Sequence, residues 1–335
     1  MCYICDNLNQ DGTDYIMKVT VVITICNEAD TIEILLSALD AQTRKPDEVV
    51  IIDGGSRDGT MEVIKERGES PTLKVVAAPG TNISQGRNQA VRVSTSELLA
   101  VTDGGCRPHP TWLENLLSPF AEQSACDLVC GSYRISSLND LEDCIGQCSS
   151  TARLRIQGQA VKPTARSLAF TRTVWQAVGG FPEETEVLDD LGFVLAATNA
   201  GYRMRIAPDA IVDWRPRSSY RAVRHQFYLY SRDIARGGYT LRVHTRTLIW
   251  DILMTALLVW EIFFPNSLPW IVLPAIFAVY LLRQARRGCF STPGWRKLYR
   301  VPLILANIHI GVVSGIATGL FTRIRFRLFR EGTPP

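Results

Sequence analysis

The sequence predicts an α/β domain built on a mostly parallel sheet flanked by helices, followed by an apolar helical region. Three observations carry this expectation. Strand-like and helix-like segments alternate from residue 19 to about residue 132. Those strands are near-continuously apolar rather than alternating, as strands covered on both faces must be. Apolar residues are also unevenly placed: the 335-residue chain is 46% hydrophobic overall, and far richer than that from about residue 247 onward.

The elements follow in order. Residues 19–26 form an unbroken apolar strand, 31–41 a helix and 48–53 a strand ending on Asp53. A short helix at 61–67, a strand at 73–77 and a helix at 84–93 come next. The strand 98–102 leads into Asp103-Gly104-Gly105. A helix at 110–120 carries Pro110 in its first turn, where the missing N–H costs nothing, and a strand follows at 128–132. Residues 139–161 read as helical and more polar, 168–171 as a strand, and a helix through Val178 runs into Gly179-Gly180-Phe181-Pro182. Residues 188–200 read as a helix stopped by Gly201, and 220–236 as an amphipathic helix setting Arg221, Arg224, Arg232 and Arg236 against Phe227, Tyr228 and Tyr230.

This divides the chain into an N-terminal extension (1–18), a catalytic domain (19–240) and a membrane-associated region (245–330) with apolar runs at about 248–265, 269–282 and 301–321. Each run is near or below the ~20 residues that cross a bilayer. Asp251 and Glu261 interrupt the first, but basic clusters flank the runs, which favours membrane helices over core helices. Gly311-x-x-x-Gly315-x-x-x-Gly319 sets small residues on one helix face, a pattern that allows close packing in lipid. A third run that fully spanned would export the Arg-rich tail against the positive-inside tendency, so the number of spans stays open.

The first residues are polar, carry Asp6, Asp11 and Asp14, and lack the apolar core of a secretion signal. The catalytic domain is therefore expected on the cytoplasmic side of a cell membrane. Met17, directly before the first strand, reads equally well as the start. Nine cysteines in such a chain argue against a disulfide framework. Cys126, Cys130, Cys144 and Cys148 read as buried small hydrophobes rather than a zinc site. A net charge of +3, with no basic patch interleaved with aromatics, excludes nucleic acid as a partner.

Asp53 and Asp103 end two predicted parallel strands, at the edge where open α/β sheets bind ligands. The first strand leads into Cys26-Asn27-Glu28 rather than Gly-x-Gly-x-x-Gly, which argues against a nicotinamide or flavin enzyme. Strand-end carboxylates suit hydrogen bonding to a base or ribose and the holding of a hard cation. Each acid also has a plainer reading, as a turn former for Asp53 and Asp103 and as a helix cap for Asp189 and Asp190.

In order and approximate spacing, residues 20–28, 53–60, Gly86-Arg87-Asn88, Asp103-Gly104-Gly105, Gly179-Gly180-Phe181-Pro182 and Asp189-Asp190 resemble the family 2 glycosyltransferases. The resemblance runs from about residue 19 to residue 238, and the membrane-associated members that make cell-surface polysaccharides and glycolipids look closest. It implies a GT-A fold, Rossmann-like, and inverting transfer from a nucleotide sugar (a UDP- or GDP-sugar) to a hydroxyl of a lipid-linked or glycan acceptor. By the same resemblance Asp53 contacts the donor's base, with Thr24, Asn27, Glu28 and Arg87 also on the donor side. Asp103 matches the first acid of the family's Asp-x-Asp metal motif and would hold Mg²⁺ or Mn²⁺, although Gly105 replaces the second. Asp190, with Asp189 before it, matches the catalytic acid pair. Arg166 falls on the acceptor side, and Gln226 and Arg232 in the region that meets the diphosphate. Gln226-Phe227-Tyr228-Leu229-Tyr230 departs from the Gln-x-x-Arg-Trp motif of processive polymerases, which implies transfer of one sugar at a time. Two other readings stay in view: a sugar-phosphate nucleotidyltransferase, which lacks its Gly-rich loop here, and a non-catalytic membrane scaffold.

Overall fold

A computed structural model describes residues 17–68, 70–121, 126–149, 154–161, 163–185, 189–237 and 297–331, with a few isolated positions between 253 and 279. The chain divides into two compact units. The first comprises residues up to 136 together with 153–215, and the second residues 137–152 and 216 onward.

The first unit is organised by an eight-stranded sheet in the order β3-β2-β1-β4-β9-β6-β10-β5. Its parallel half contains β1 (Val19–Ile25), β2 (Glu48–Asp53), β3 (Leu73–Ala77) and β4 (Leu98–Asp103). Register sets Ile25 opposite Asp53 and Thr24 opposite Asp103, so these strands end at one level. Beyond β4 the sheet becomes mixed. Strand β9 (Leu168–Thr171) runs antiparallel between β4 and β6 (Leu128–Ile135), and β10 (Met204–Trp214) lies parallel to β6. The short β5 (Cys106–Pro108) pairs antiparallel with the end of β10.

Unbroken hydrophobicity in β1 has its expected cause. Val19, Val21 and Ile23 enter one core and Val22 the other, because successive side chains point to opposite faces. On the first face lie α1 (Ile32–Asp40), contributing Ile32, Leu35, Leu36 and Leu39 at helical spacing, and α4 (Trp112–Ala121). The opposite core takes Ala90 and Val91 of α3 (Ile83–Val93), Val174 of α6 (Arg172–Val178) and Phe193 of α7 (Asp189–Asn199). Phe181 stacks on Phe193 of α7 with ring centroids 4.5 Å apart. Helix α2 (Thr60–Glu66) follows the β2 turn. Helix α3 starts with a reciprocal cap, Asn82 Oδ1 accepting from the Gln85 N–H and Gln85 Oε1 from the Asn82 N–H.

Two features differ from the sequence reading. Residues 139–161 are not one helical stretch. Helix α5 (Asp140–Ser149) is followed by a hairpin of β7 (Leu154–Ile156) and β8 (Gln159–Val161). Gln157 (φ 48°) and Gly158 (φ 78°) form its two-residue turn, both with the positive φ that such a connection requires. Gln157 then ties the hairpin to the start of β10, donating to Tyr202 O and accepting from the Met204 N–H. Strands β5 and β10 are also additional, and a register shift between Ile206 and Ile211 interrupts the apolar pattern of β10. Burial pushes the thiols of Cys106, Cys126 and Cys130 up to about 12, so they pack as neutral side chains.

In the second unit, α5 packs with α8 (Tyr220–Gly237) and α9 (Lys297–Glu331). Cys144, Ile145 and Cys148 meet Val223, Val301, Ile304 and Ile308. Gly311, Gly315 and Gly319 face α8 so closely that a methyl group at any of them would collide with the carbonyl oxygen of Arg224, Tyr228 or Arg232. The small-residue stripe therefore seats one helix of this unit on another. Within α9, Tyr299–Ile324 is long and apolar enough to cross a membrane, with mean hydropathy 1.8. Its opposite face exposes Leu303, Ile310, Val313, Phe321 and Ile324. The expected apolar runs at 248–265 and 269–282 lie outside the described residues.

Candidate active site

The site is built where β1, β2 and β4 end. Asp53, 4% exposed, turns back on its own loop, accepting from the Ser56 N–H (3.0 Å) and Ser56 hydroxyl (2.6 Å). The loop is clamped from β1's side by Asn27, whose N–H donates to Ser56 Oγ and whose Oδ1 accepts from the Arg57 N–H. Asn27 does this in the left-handed region (φ 60°), which Asn tolerates better than most residues. Glu28 follows, with its N–H donated to Thr60 Oγ1 and its carboxylate accepting from the Thr31 hydroxyl at 2.6 Å.

Helix α3 reaches the strand ends because residue 86 is glycine: a Cβ there would stand 2.9 Å from Thr24 Cγ2. That approach delivers Arg87. Its buried guanidinium donates to Asp103 Oδ1 at 2.6 Å and contacts the Asp189 carboxylate on α7. One cation thus joins an acid of the parallel half to the first acid of the later pair. Asn88, next on the helix, fixes the segment that leads to α7. It donates to Phe181 O and Glu183 Oε1 and accepts from the Phe181 N–H and Trp175 Nε1–H.

Asp190 begins α7 beside Asp189. Its carboxylate accepts from the Leu191 N–H at 2.7 Å and the Ala165 N–H at 3.2 Å. Burial raises its pKa above the usual carboxylate range, opposed by the charge of Arg87, the Leu191 N–H, the charge of Arg166 and the Ala165 N–H. Arg166 lies over Trp214, its guanidinium carbon 4.2 Å from a ring centroid, with Tyr133 at 5.2 Å. Its Nε stands 3.9 Å from Asp103 Oδ2.

Asp103, Arg87, Asp189, Asp190 and Arg166 therefore form one connected group of charges. Thr24 is level with Asp103, Asp53 ends β2, and Asn27 and Glu28 stand on the loop after β1. Gln226 and Arg232 belong to the second unit, on α8, where Gln226 donates to the Tyr230 hydroxyl and Arg232 to Asp233. Residues that sequence reasoning left out of the site are Ser56, Asn88, Tyr133 and Trp214. Ser56 and Asn88 lay within quoted segments, but Asn88, Tyr133 and Trp214 meet partners distant in sequence.

Among the described residues, no group of three His, Cys, Asp or Glu side chains is close enough to enclose a metal. The donor set nonetheless suits a hard cation carried with a diphosphate, since one or two carboxylates then suffice. Both Asp103 and the Glu28 carboxylate flank the bare Gly104-Gly105 turn. A Cβ on Gly104 would meet Glu28 Cγ at 3.0 Å, and one on Gly105 would stand 3.5 Å from Glu28 Oε2.

Comparison with known proteins identifies the family and the fold. Residues 20–209, more than half of the chain, match the model of Glycosyl transferase family 2. The chain is 30% identical over 199 residues to glycosyltransferase AglE of Haloferax volcanii, covering 58% of this chain and 65% of that relative's length. It is 23% identical over 221 residues to the O-antigen chain rhamnosyltransferase RfbN of Salmonella typhimurium, covering 61% of this chain and 70% of that one. Among solved structures, the mannosyltransferase PcManGT from Pyrobaculum calidifontis, in complex with GDP-Man and Mn²⁺, superposes with a TM-score of 0.62 at 21% identity, covering 92% of this chain and 88% of that one. The chain belongs to glycosyltransferase family 2 and has the GT-A fold.

Proposed function

We propose that this family 2 glycosyltransferase moves one sugar from a UDP- or GDP-sugar to a hydroxyl of a lipid-linked or polysaccharide acceptor, with inversion, at the cytoplasmic face of a membrane. The observation that carries the reading is the Arg87 bridge, which sets a donor-side acid and the acidic pair around one guanidinium. The membrane part is supported by the apolar Tyr299–Ile324 segment and its exposed face.

In this reading Asp190 is the base. An inverting displacement needs one carboxylate on the face opposite the leaving group. As the acceptor oxygen bonds to the anomeric carbon, the acceptor proton passes to Asp190 and the bond from that carbon to the diphosphate oxygen breaks. A raised pKa suits a group that must accept a proton and later release it. Asp189 holds Arg87 in place, and Arg87 in turn orients Asp103. Asp103 would hold Mg²⁺ or Mn²⁺, which as a Lewis acid would offset charge on the departing nucleoside diphosphate. Thr24, Asn27, Glu28 and Asp53 line the donor's nucleoside side. Arg166, held over the Trp214 ring, is assigned to the acceptor side on sequence resemblance. The roles of Gln226 and Arg232 toward the diphosphate rest on sequence resemblance.

The test is a screen of UDP- and GDP-sugars with the purified chain, reading nucleoside diphosphate release with and without lipid-linked acceptors. Asp190→Asn should bind donor like the parent and lose about 10²- to 10⁴-fold in turnover. Parent-like turnover in Asp190→Asn would remove the proposed base. If no nucleotide sugar shifts the melting temperature or turns over, the scaffold reading replaces this one.

A further inference from the structure

We propose that Glu28 supplies a second carboxylate to the divalent-cation site at Asp103. The inference rests on the donor reading above and deepens it.

The argument begins with the two glycines after Asp103. Gly55 and Gly59, in the other strand-end loop, have φ of 106° and 92°, so their backbone explains the residue. Gly104 and Gly105 lie outside the left-handed region and have no such conformational need. Space explains Gly104 instead: a Cβ there would press on Ile25 Cγ2 at 2.9 Å and on Glu28 Cγ at 3.0 Å. The absent side chains make a seat, and the Glu28 side chain fills it. A Cβ on Gly105 would find the two Glu28 carboxylate oxygens at 3.5 and 3.8 Å. Glu28 therefore brings negative charge to the place an acid at position 105 would reach.

The seat is held firmly. The Glu28 carbonyl accepts from the Thr31 and Ile32 N–H groups, its own N–H bonds Thr60, and the Thr31 hydroxyl orients its carboxylate. A carboxylate arriving from β1's end and one from β4's end flank the same turn. Mg²⁺ and Mn²⁺ are commonly held by one or two carboxylates with phosphate and water oxygens completing the shell. On this account Gly105 does not mark a weakened site; the second acid comes from another strand.

The experiment titrates Mn²⁺ by electron paramagnetic resonance into the full chain in detergent, in the presence of UDP or GDP. Nucleotide affinity without metal is measured in parallel. Glu28→Gln should weaken Mn²⁺ binding in the nucleotide complex by about tenfold or more, a larger factor than any loss of metal-free nucleotide affinity in the same variant. Glu28→Asp, which keeps the charge but withdraws it, should fall between. Adding Gly105→Asp to Glu28→Gln should recover Mn²⁺ affinity, since position 105 has ordinary backbone and room for a side chain. Parent-like Mn²⁺ affinity in both Glu28 variants, with loss in Asp103→Asn, would overturn the inference and leave the donor reading standing. Parent-like affinity in Asp103→Asn as well would overturn both.

Discussion

Asp53-Gly54-Gly55-Ser56 and Asp103-Gly104-Gly105-Cys106 both end a central parallel strand, yet the first closes on itself and the second opens toward the rest of the site. Asp53 is buried and spends its carboxylate on Ser56, within a loop that Asn27 clamps from the next strand. Asp103 is a third exposed and is held from outside, by Arg87 of α3. The glycines differ in the same sense. Gly55 is needed for its backbone, whereas Gly104 is needed for the room it leaves. Near-identical residue strings thus become a scaffold in one place and a receptive surface in the other. What separates them is the neighbouring helix and strand, not the string.

Substitutions should separate the two loops, beginning with the largest effect. Asp103→Asn should lower turnover by about 100-fold or more, as removal of a group that stabilises developing charge does, with a smaller loss of stability because Arg87 keeps Asp189 as a charged partner. Asp53→Ala should do the reverse. It removes charge-assisted hydrogen bonds worth about 1.5–3 kcal/mol, measurable by urea unfolding, and weakens nucleotide binding while saturated turnover largely survives. If Asp53→Ala lost turnover at unchanged stability, the contrast between the loops would collapse. A smaller effect is expected from the glycines. Gly55→Ala should cost about 1 kcal/mol or more because of its positive φ, and Gly105→Ala about 0.5 kcal/mol or less. Equal costs would mean that the Asp103 turn is also conformationally constrained.

The acidic pair adds a pH-dependent test. Burial raises the pKa of Asp190, so between the unfolded value of ~3.9 and the raised folded value the native state holds more protons. Stability therefore falls as pH rises through that window, and the charged carboxylate is a cost at neutral pH. Asp190→Asn should melt above the parent at pH 7, with the gap closing toward pH 4. A gap that is the same at both values would mean that Asp190 is an ordinary helix cap.

Much of the parallel half was legible because its physics is local. Continuous apolar runs such as residues 19–25 and 98–102 signal strands covered on both faces, and an acid followed by glycine signals where they stop. The mixed half was less legible. Strand β10 carries Pro208 and Asp209 within its register shift, so no clean period survives. The β7–β8 hairpin is too short to announce itself, and Gln157 makes its supporting bonds to residues some 45 positions away. In the site, the acids themselves were visible in the sequence. The Arg87 bridge, the Arg166–Trp214 stack and the seating of Glu28 over Gly104-Gly105 were not, because each joins segments that only the fold brings together. The glycine stripe of α9 read correctly as a close-packing face, but its partner, α8, was not apparent from spacing alone.

The central claim is that Asp190 takes the acceptor's proton, and the pH dependence of kcat/KM for sugar transfer tests it most directly. The account predicts an acid limb displaced above the usual carboxylate value of ~4 in the parent enzyme, and its disappearance in Asp190→Asn together with most of the rate. An Asp190→Asn variant that keeps both the rate and the acid limb would contradict it.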